Sequence, residues 1–224
     1  MSFRRIVAIA LLPCAVVAAC ESHNTVAVAG GNGATVRLVN ATSSNVDLLV
    51  NNAAPSGNRA IPFGASSTCT TVDVTSSTVA ISASSGTVTN LPTSPGLAAG
   101  GKYLLVAYLD ASGNLQLATI AQNTTPIILR SSLAVFEGVP STVTGNYDVY
   151  ITTPAAALVT PTFRNLTFGF ATPFFDVAAG ATQVRLTNAG TQAVVIDAGS
   201  FTLAANTTYL LTIALPNSFL ATGC

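Results

Sequence analysis

From Ala34 onward, apolar positions recur in short runs rich in Val, Ile, Leu, Thr and Tyr, and turn-forming clusters interrupt them at Asn51-Asn52, Pro55-Ser56-Gly57, Ser112-Gly113-Asn114 and Asn188-Ala189-Gly190. Several runs alternate strictly. Val36 and Leu38 flank Arg37, Val46, Leu48 and Val50 are spaced by two, as are Val72 and Val74 or Val79 and Ile81, and Val184 and Leu186 flank Arg185. A period of two puts one side of a strand in a core and the other in water, and no window of a dozen residues carries a helical stripe. The pattern predicts an all-β chain of half-buried strands packed as antiparallel sandwiches of immunoglobulin- or transthyretin-like type.

The runs also repeat. Asn45-Val46-Asp47-Leu48-Leu49-Val50 answers to Asn146-Tyr147-Asp148-Val149-Tyr150-Ile151, Phe63-Gly64 to Phe168-Gly169, Val79 and Ile81 to Val184 and Leu186, and Tyr103-Leu104-Leu105 to Tyr209-Leu210-Leu211. The order is kept while the offset drifts from 101 to 106 residues, as small loop insertions would cause. Two tandem β-sandwich units are therefore expected, at 34–126 and 127–224, joined near Thr124-Thr125-Pro126.

The first 33 residues follow a different pattern. Arg4 and Arg5 precede an uncharged apolar stretch from Ile6 to Val17, the layout of a secretion signal and too short for a stable membrane span of about 20 residues. Val17-Ala18-Ala19-Cys20 resembles a lipobox, in which small side chains admit the signal peptidase and the cysteine thiol carries diacylglycerol. Cys14 competes poorly, because Pro13 precedes it and the apolar core would shrink to about eight residues. The reading is a signal peptide at 1–19 and a lipidated Cys20 opening a tether at 20–33; the alternative is an ordinary secretory signal with Cys20 as a disulfide partner. Glu21 stands where inner-membrane retention in enteric-type bacteria uses Asp, which favours outer-membrane delivery in a cell with two membranes.

Beyond Cys20 the thiols are Cys69 and Cys224. An oxidising envelope compartment predicts that they pair, fastening the last residue to the first half; the alternative is a buried Cys69 and a free Cys224.

Val36-Arg37-Leu38-Val39-Asn40-Ala41, followed by Val46-Asp47-Leu48-Leu49-Val50 and then by Leu97 through Val106, resembles the bacterial domain-of-unknown-function 4397 proteins. Phe63-Gly64 and Thr68-Cys69-Thr70 match that family's central stretch only in part, and Leu133-Ala134-Val135-Phe136 departs from its opening strand. The resemblance implies an exported, often lipid-anchored β-sandwich and brings no catalytic residues.

Composition narrows the chemistry. Only 7% of the 224 residues are charged, against roughly 25% in ordinary soluble domains. Loss of Arg4 and Arg5 with the signal leaves six cations against eight acids, a formal charge of −2. The cations Arg37, Arg59, Lys102, Arg130, Arg164 and Arg185 are scattered, which argues against nucleic acid as a partner. The sole histidine, His23, lies in the tether, so a histidine-based nucleophilic triad within the folded units and an ordinary zinc site are excluded. Asp110-Ala111-Ser112-Gly113-Asn114 lacks the closing acid of a calcium loop and reads as a β-turn. Asp47 and Asp148 share a repeat position and so a structural job; Tyr103 and Tyr209 read as sandwich tyrosines with hydrogen-bonded hydroxyls; Phe168, Phe170, Phe174 and Phe175 read as core or inter-unit packing.

The expected function is a non-catalytic cell-envelope lipoprotein without metal or cofactor, held on a membrane by its anchor and binding or scaffolding an envelope protein or glycan. Two alternatives remain. One is a glycan-active enzyme using carboxylates from among Asp47, Asp73, Asp110, Glu137, Asp148, Asp176 and Asp197, which needs two of them across one cleft. The other is a membrane β-barrel, suggested by the high mean hydropathy and the alternating strands.

Overall fold

The computed structural model describes residues 31–83, 86–90, 96–122, 128–139, 145–214 and 217–224. Cys20, His23, most of the tether and the junction at 124–126 lie outside the described residues.

The chain is all-β. The first half forms β1 (Gly33–Asn40), β2 (Val46–Val50), β3 (Thr70–Asp73), β4 (Val79–Ala83), β5 (Val88–Asn90), β6 (Lys102–Leu109) and β7 (Leu115–Ala121). The second forms β8 (Arg130–Glu137), β9 (Tyr147–Thr152), β10 (Phe163–Leu166), β11 (Phe175–Ala178), β12 (Gly180–Asn188), β13 (Val194–Leu203), β14 (Thr208–Ile213) and β15 (Phe219–Thr222). Among the described residues no helix is long and apolar enough to cross a membrane.

Turn chemistry places the strands as the sequence suggests. Asn51 and Asn52 both sit in the left-handed region (φ 52° and 62°), and Val50 and Ala53 exchange backbone hydrogen bonds across them. Two successive positive φ values make a tight turn whose twist matches that of the flanking strands, and Asn tolerates them better than most residues.

The described strands form four sheets, in the orders β3-β1-β6-β7, β2-β4-β5, β11-β8-β14-β15 and β10-β9-β12-β13. Among the described strands, those of each half pair only within that half. The sequence repeat runs through the pairing: Leu48 lies opposite Ile81 and Val149 opposite Leu186, while Val36 lies beside Tyr103 and Leu133 beside Tyr209.

Two features depart from a purely antiparallel sandwich. First, β1 pairs with β6, and β8 with β14, in parallel. A parallel neighbour cannot be reached through a hairpin, so the chain between them crosses to the other sheet before it returns. Second, the sheets of these four strands have no fully wet face. Val36, Leu38, Leu105 and Leu117 pack with Val46, Leu48 and Ile81 of the β2-β4-β5 sheet. Leu133, Val135 and Leu211 pack with Val149, Val184 and Leu186 of the β10-β9-β12-β13 sheet. From the opposite faces, Val39, Leu104, Val106 and Ile120 meet Ala134, Phe136, Leu210 and Ala221 in a third core. The result is a stack of four sheets with three apolar layers.

Arg37, expected on a wet face, lies at the edge of that third layer. Its guanidinium donates to Ser67 O in its own half and to both Thr222 O (2.9 Å) and Thr222 Oγ1 (2.7 Å) in the other.

Candidate functional site

Five of the seven acids among the described residues, Asp47, Asp73, Asp110, Asp148 and Asp197, accept hydrogen bonds that shape the backbone around them, whereas Asp176 Oδ1 is buried without a partner. Asp47 Oδ1 accepts from the Ala60 N–H and Asp148 Oδ1 from the Asn165 N–H, and both donors have positive φ (48° and 58°). The shared repeat position thus does one job twice: the carboxylate fixes a strained backbone corner. Asp148 also accepts from the Gly190 N–H and faces Arg164 at 3.8 Å. Asp197 accepts from Gln183 Nε2 and the Gly199 N–H.

Asp110 Oδ1 accepts from the N–H groups of Ser112 and Asn114, and its Oδ2 from Asn114 Nδ2 and Gln116 Nε2. The bonds from Asn114 hold this carboxyl below its ordinary range, and the Thr75 hydroxyl does the same for Asp73. With both oxygens of Asp110 bonded inside its own turn, the loop is a β-turn. Among the described residues no three His, Cys, Asp or Glu side chains are grouped to hold a metal ion.

Tyr103 and Tyr209 bury their rings, and their hydroxyls accept from the Ala98 and Ala204 N–H groups at 2.8 and 3.1 Å. The phenylalanine group divides. Phe168 packs edge-on against Tyr108 across the halves, and Phe174 joins the third core. Phe170 is 66% exposed and Phe175 is 40% exposed, the latter edge-on to Phe163.

Two clefts of about 280 and 250 Å³ occupy matching places in the halves. The first is lined by Thr42, Leu109 and Asn114, the second by Val139, Ile213 and Asn217, and among the described residues Asp197 is the only acid lining either. Neither presents the facing pair of carboxylates that glycoside hydrolysis requires.

The most heavily cross-linked place is the seam between the halves. Cys69 and Cys224 are joined by a disulfide with Cα atoms 6.0 Å apart, as the thiol count predicts. Around it, Lys102 Nζ donates to Cys224 O at 3.0 Å and the Cys224 N–H donates to Gln122 Oε1 at 2.9 Å. Phe63 meets Phe219 edge-on with centroids 5.5 Å apart. The two Phe-Gly turns therefore act alike, each placing an aromatic ring against an aromatic of the opposite half. At Gly64 and Gly169 φ is 77° and 78°, and an added Cβ would reach the Phe219 ring and the Tyr108 hydroxyl respectively.

One buried position breaks the internal likeness. The β1–β6 and β8–β14 registers align Asn40 with Glu137, and both are fully buried. Asn40 Oδ1 accepts from the Thr42 N–H, while its amide nitrogen donates to Ser44 O and Ile61 O. Glu137 Oε1 keeps the first of these bonds, accepting from the Val139 N–H, but Oε2 has no hydrogen-bond partner among the described residues. A carboxylate cannot donate where an amide does. Burial pushes the Glu137 carboxyl up to about 7, against the smaller opposing pull of the Val139 N–H. No sequence motif marks this residue; only the repeat alignment, extended through the poorly matching opening strand of the second half, exposes it.

No protein-family model matches the chain, and no curated protein matches it.

Proposed function

We propose that this chain is a lipid-anchored, non-catalytic envelope protein whose two related β-sandwich units are presented on a tether to bind or scaffold an envelope protein or glycan. The observation that carries the reading is the Val17-Ala18-Ala19-Cys20 lipobox behind a positively started apolar run. Each buried methylene of an acyl chain contributes about 0.8 kcal/mol, so the two or three chains of a mature lipoprotein hold a body of this size durably. The resemblance to domain-of-unknown-function 4397 proteins points the same way, and Glu21 favours the outer membrane over the inner.

The acids support the non-catalytic part of the proposal. Asp73, Asp110 and Asp197 accept hydrogen bonds from backbone N–H groups of their own turns, and Asp47 and Asp148 from backbone N–H groups of neighbouring loops, which works against a glycan-active enzyme using carboxylates alone. A membrane barrel closes one sheet on itself, whereas the described strands form four sheets with edge strands.

Fractionation tests the anchor. The wild-type chain is expected in the membrane fraction and to leave it only with detergent, while Cys20→Ser appears in the soluble envelope fraction or as uncleaved precursor. A Cys20→Ser chain that is cleaved normally and still fractionates with membranes would overturn the proposal.

A further inference from the structure

The tether joins the body at Gly33, and hydrogen bonds linked by short stretches of backbone run from there across one end of the molecule. Gly33 O accepts from the Gly100 N–H and Lys102 O from the Gln122 N–H. Gln122 Oε1 accepts from Cys224, and the neighbouring Gly223 N–H donates to Thr208 O. The Asn206 N–H donates to Arg130 O, and Asn206 Oδ1 accepts from the Leu129 N–H at 3.1 Å. Ile128 and Leu129 therefore stand at the end of the body where the tether enters.

These two side chains are 80% and 74% exposed, adjacent in the chain, and among the most exposed large apolar residues described. The corner carrying them is built. Leu129 holds φ at 67°, a region that leucine avoids, and the Asn206 side chain, itself on a residue at φ 58°, fixes its N–H. A strained backbone that aims two large apolar side chains into water calls for an apolar surface opposite them.

The tether identifies that surface. Only twelve residues lie between Cys20 and Gly33, so a body anchored at Cys20 is held to the bilayer by its Gly33 end. We infer that this end rests on the lipid surface, with Ile128 and Leu129 entering the boundary between headgroups and acyl chains. The inference rests on the lipid-anchored reading. The contact is apolar rather than electrostatic: Lys102 and Arg130 at this end donate to Cys224 O and Asp176 O, and Asp73 and Asp176 offset their charge.

The chain contains no Trp, so Ile128→Trp introduces a single indole at a site too exposed to disturb the fold. Val159→Trp, 76% exposed and outside this series of hydrogen bonds, is the control. Lipidated proteins are reconstituted into phosphatidylcholine vesicles with and without brominated acyl chains. The Ile128→Trp emission is expected to shift to the blue and to lose most of its intensity to the bromines, in low and high salt alike, while Val159→Trp keeps its emission. Vesicle-bound protein in which the two indoles are quenched equally, or neither is quenched, would overturn the inference and leave the anchor standing. Quenching at position 128 that disappears in high salt would overturn the apolar contact. Failure of the wild-type chain to stay with vesicles at all would remove both the anchor and the inference.

Discussion

Reduction of the Cys69–Cys224 disulfide, or Cys69→Ser with Cys224→Ser, is expected to lower the stability of the mature chain by about 2–5 kcal/mol while leaving its native far-ultraviolet spectrum unchanged. The two cysteines are 155 residues apart, and closing a loop of that length removes chain entropy from the unfolded state equivalent to about 5 kcal/mol. Strain and residual structure in real unfolded chains usually lower the observed gain, hence the range. In the folded state little should change, because β15 remains paired with β14, Phe219 still meets Phe63 and Arg37 still holds Thr222. Cys69 is exposed, so a small reductant reaches the bond without unfolding the body. Urea denaturation of oxidised, reduced and double-serine proteins is the check. The last two are expected to coincide at a lower midpoint; three equal midpoints would refute a stabilising cross-link.

Glu137 is expected to make the folded chain lose stability as the pH rises from about 4.5 to neutrality. Its carboxyl is raised from an ordinary 4.5 to about 7, so the fold favours the protonated form. For a raised carboxyl, that contribution is complete below pH 4.5, declines as pH climbs towards 7, and is gone above it. Every tenfold change in proton affinity corresponds to about 1.4 kcal/mol, so the full swing is on the order of 3 kcal/mol. Asp73 and Asp110, held below their ordinary range, act in the opposite sense and lose their contributions only in stronger acid. Stability is thus expected to peak in mildly acid solution.

Glu137→Gln restores the donor that Asn40 supplies in the first half. It should flatten the decline between pH 5 and 7 and raise stability at pH 8 by about 2–3 kcal/mol, since an ionised buried carboxylate is replaced by a neutral amide of the same size. Urea midpoints of the two proteins from pH 4 to 8 decide the matter. An unchanged pH slope, or a destabilised variant at pH 8, would contradict the assignment.

Much of the fold is legible because it is local or repeated. Strand positions follow from alternation, the Asn51-Asn52 turn from residues that tolerate positive φ, and the disulfide from Cys69 and Cys224 being the two cysteines beyond Cys20. The shared work of Asp47 and Asp148, and of Tyr103 and Tyr209, follows from their equivalent places in the repeat. The four-sheet stack is harder to read, because alternation says which face is apolar and not what covers the other one. The signal lies in the unbroken apolar runs Tyr103 through Ala107 and Leu133 through Phe136, which are the mark of strands buried on both faces. Arg37 reads as a wet residue because a single strand does not show that its long side chain reaches Thr222, 185 positions away. The aromatic group at 168–175 divides between seam and surface according to tertiary packing alone, with Phe168 and Phe174 inside and Phe170 outside.

Everything proposed about function depends on the chemistry at Cys20. Mass spectrometry of the N-terminal peptide of the mature protein, purified from its native membrane in detergent, reads that chemistry directly. A peptide beginning at Cys20 and carrying a diacylglyceryl thioether is the expected result. A mature chain that begins elsewhere, or begins at Cys20 with an unmodified thiol, would contradict it.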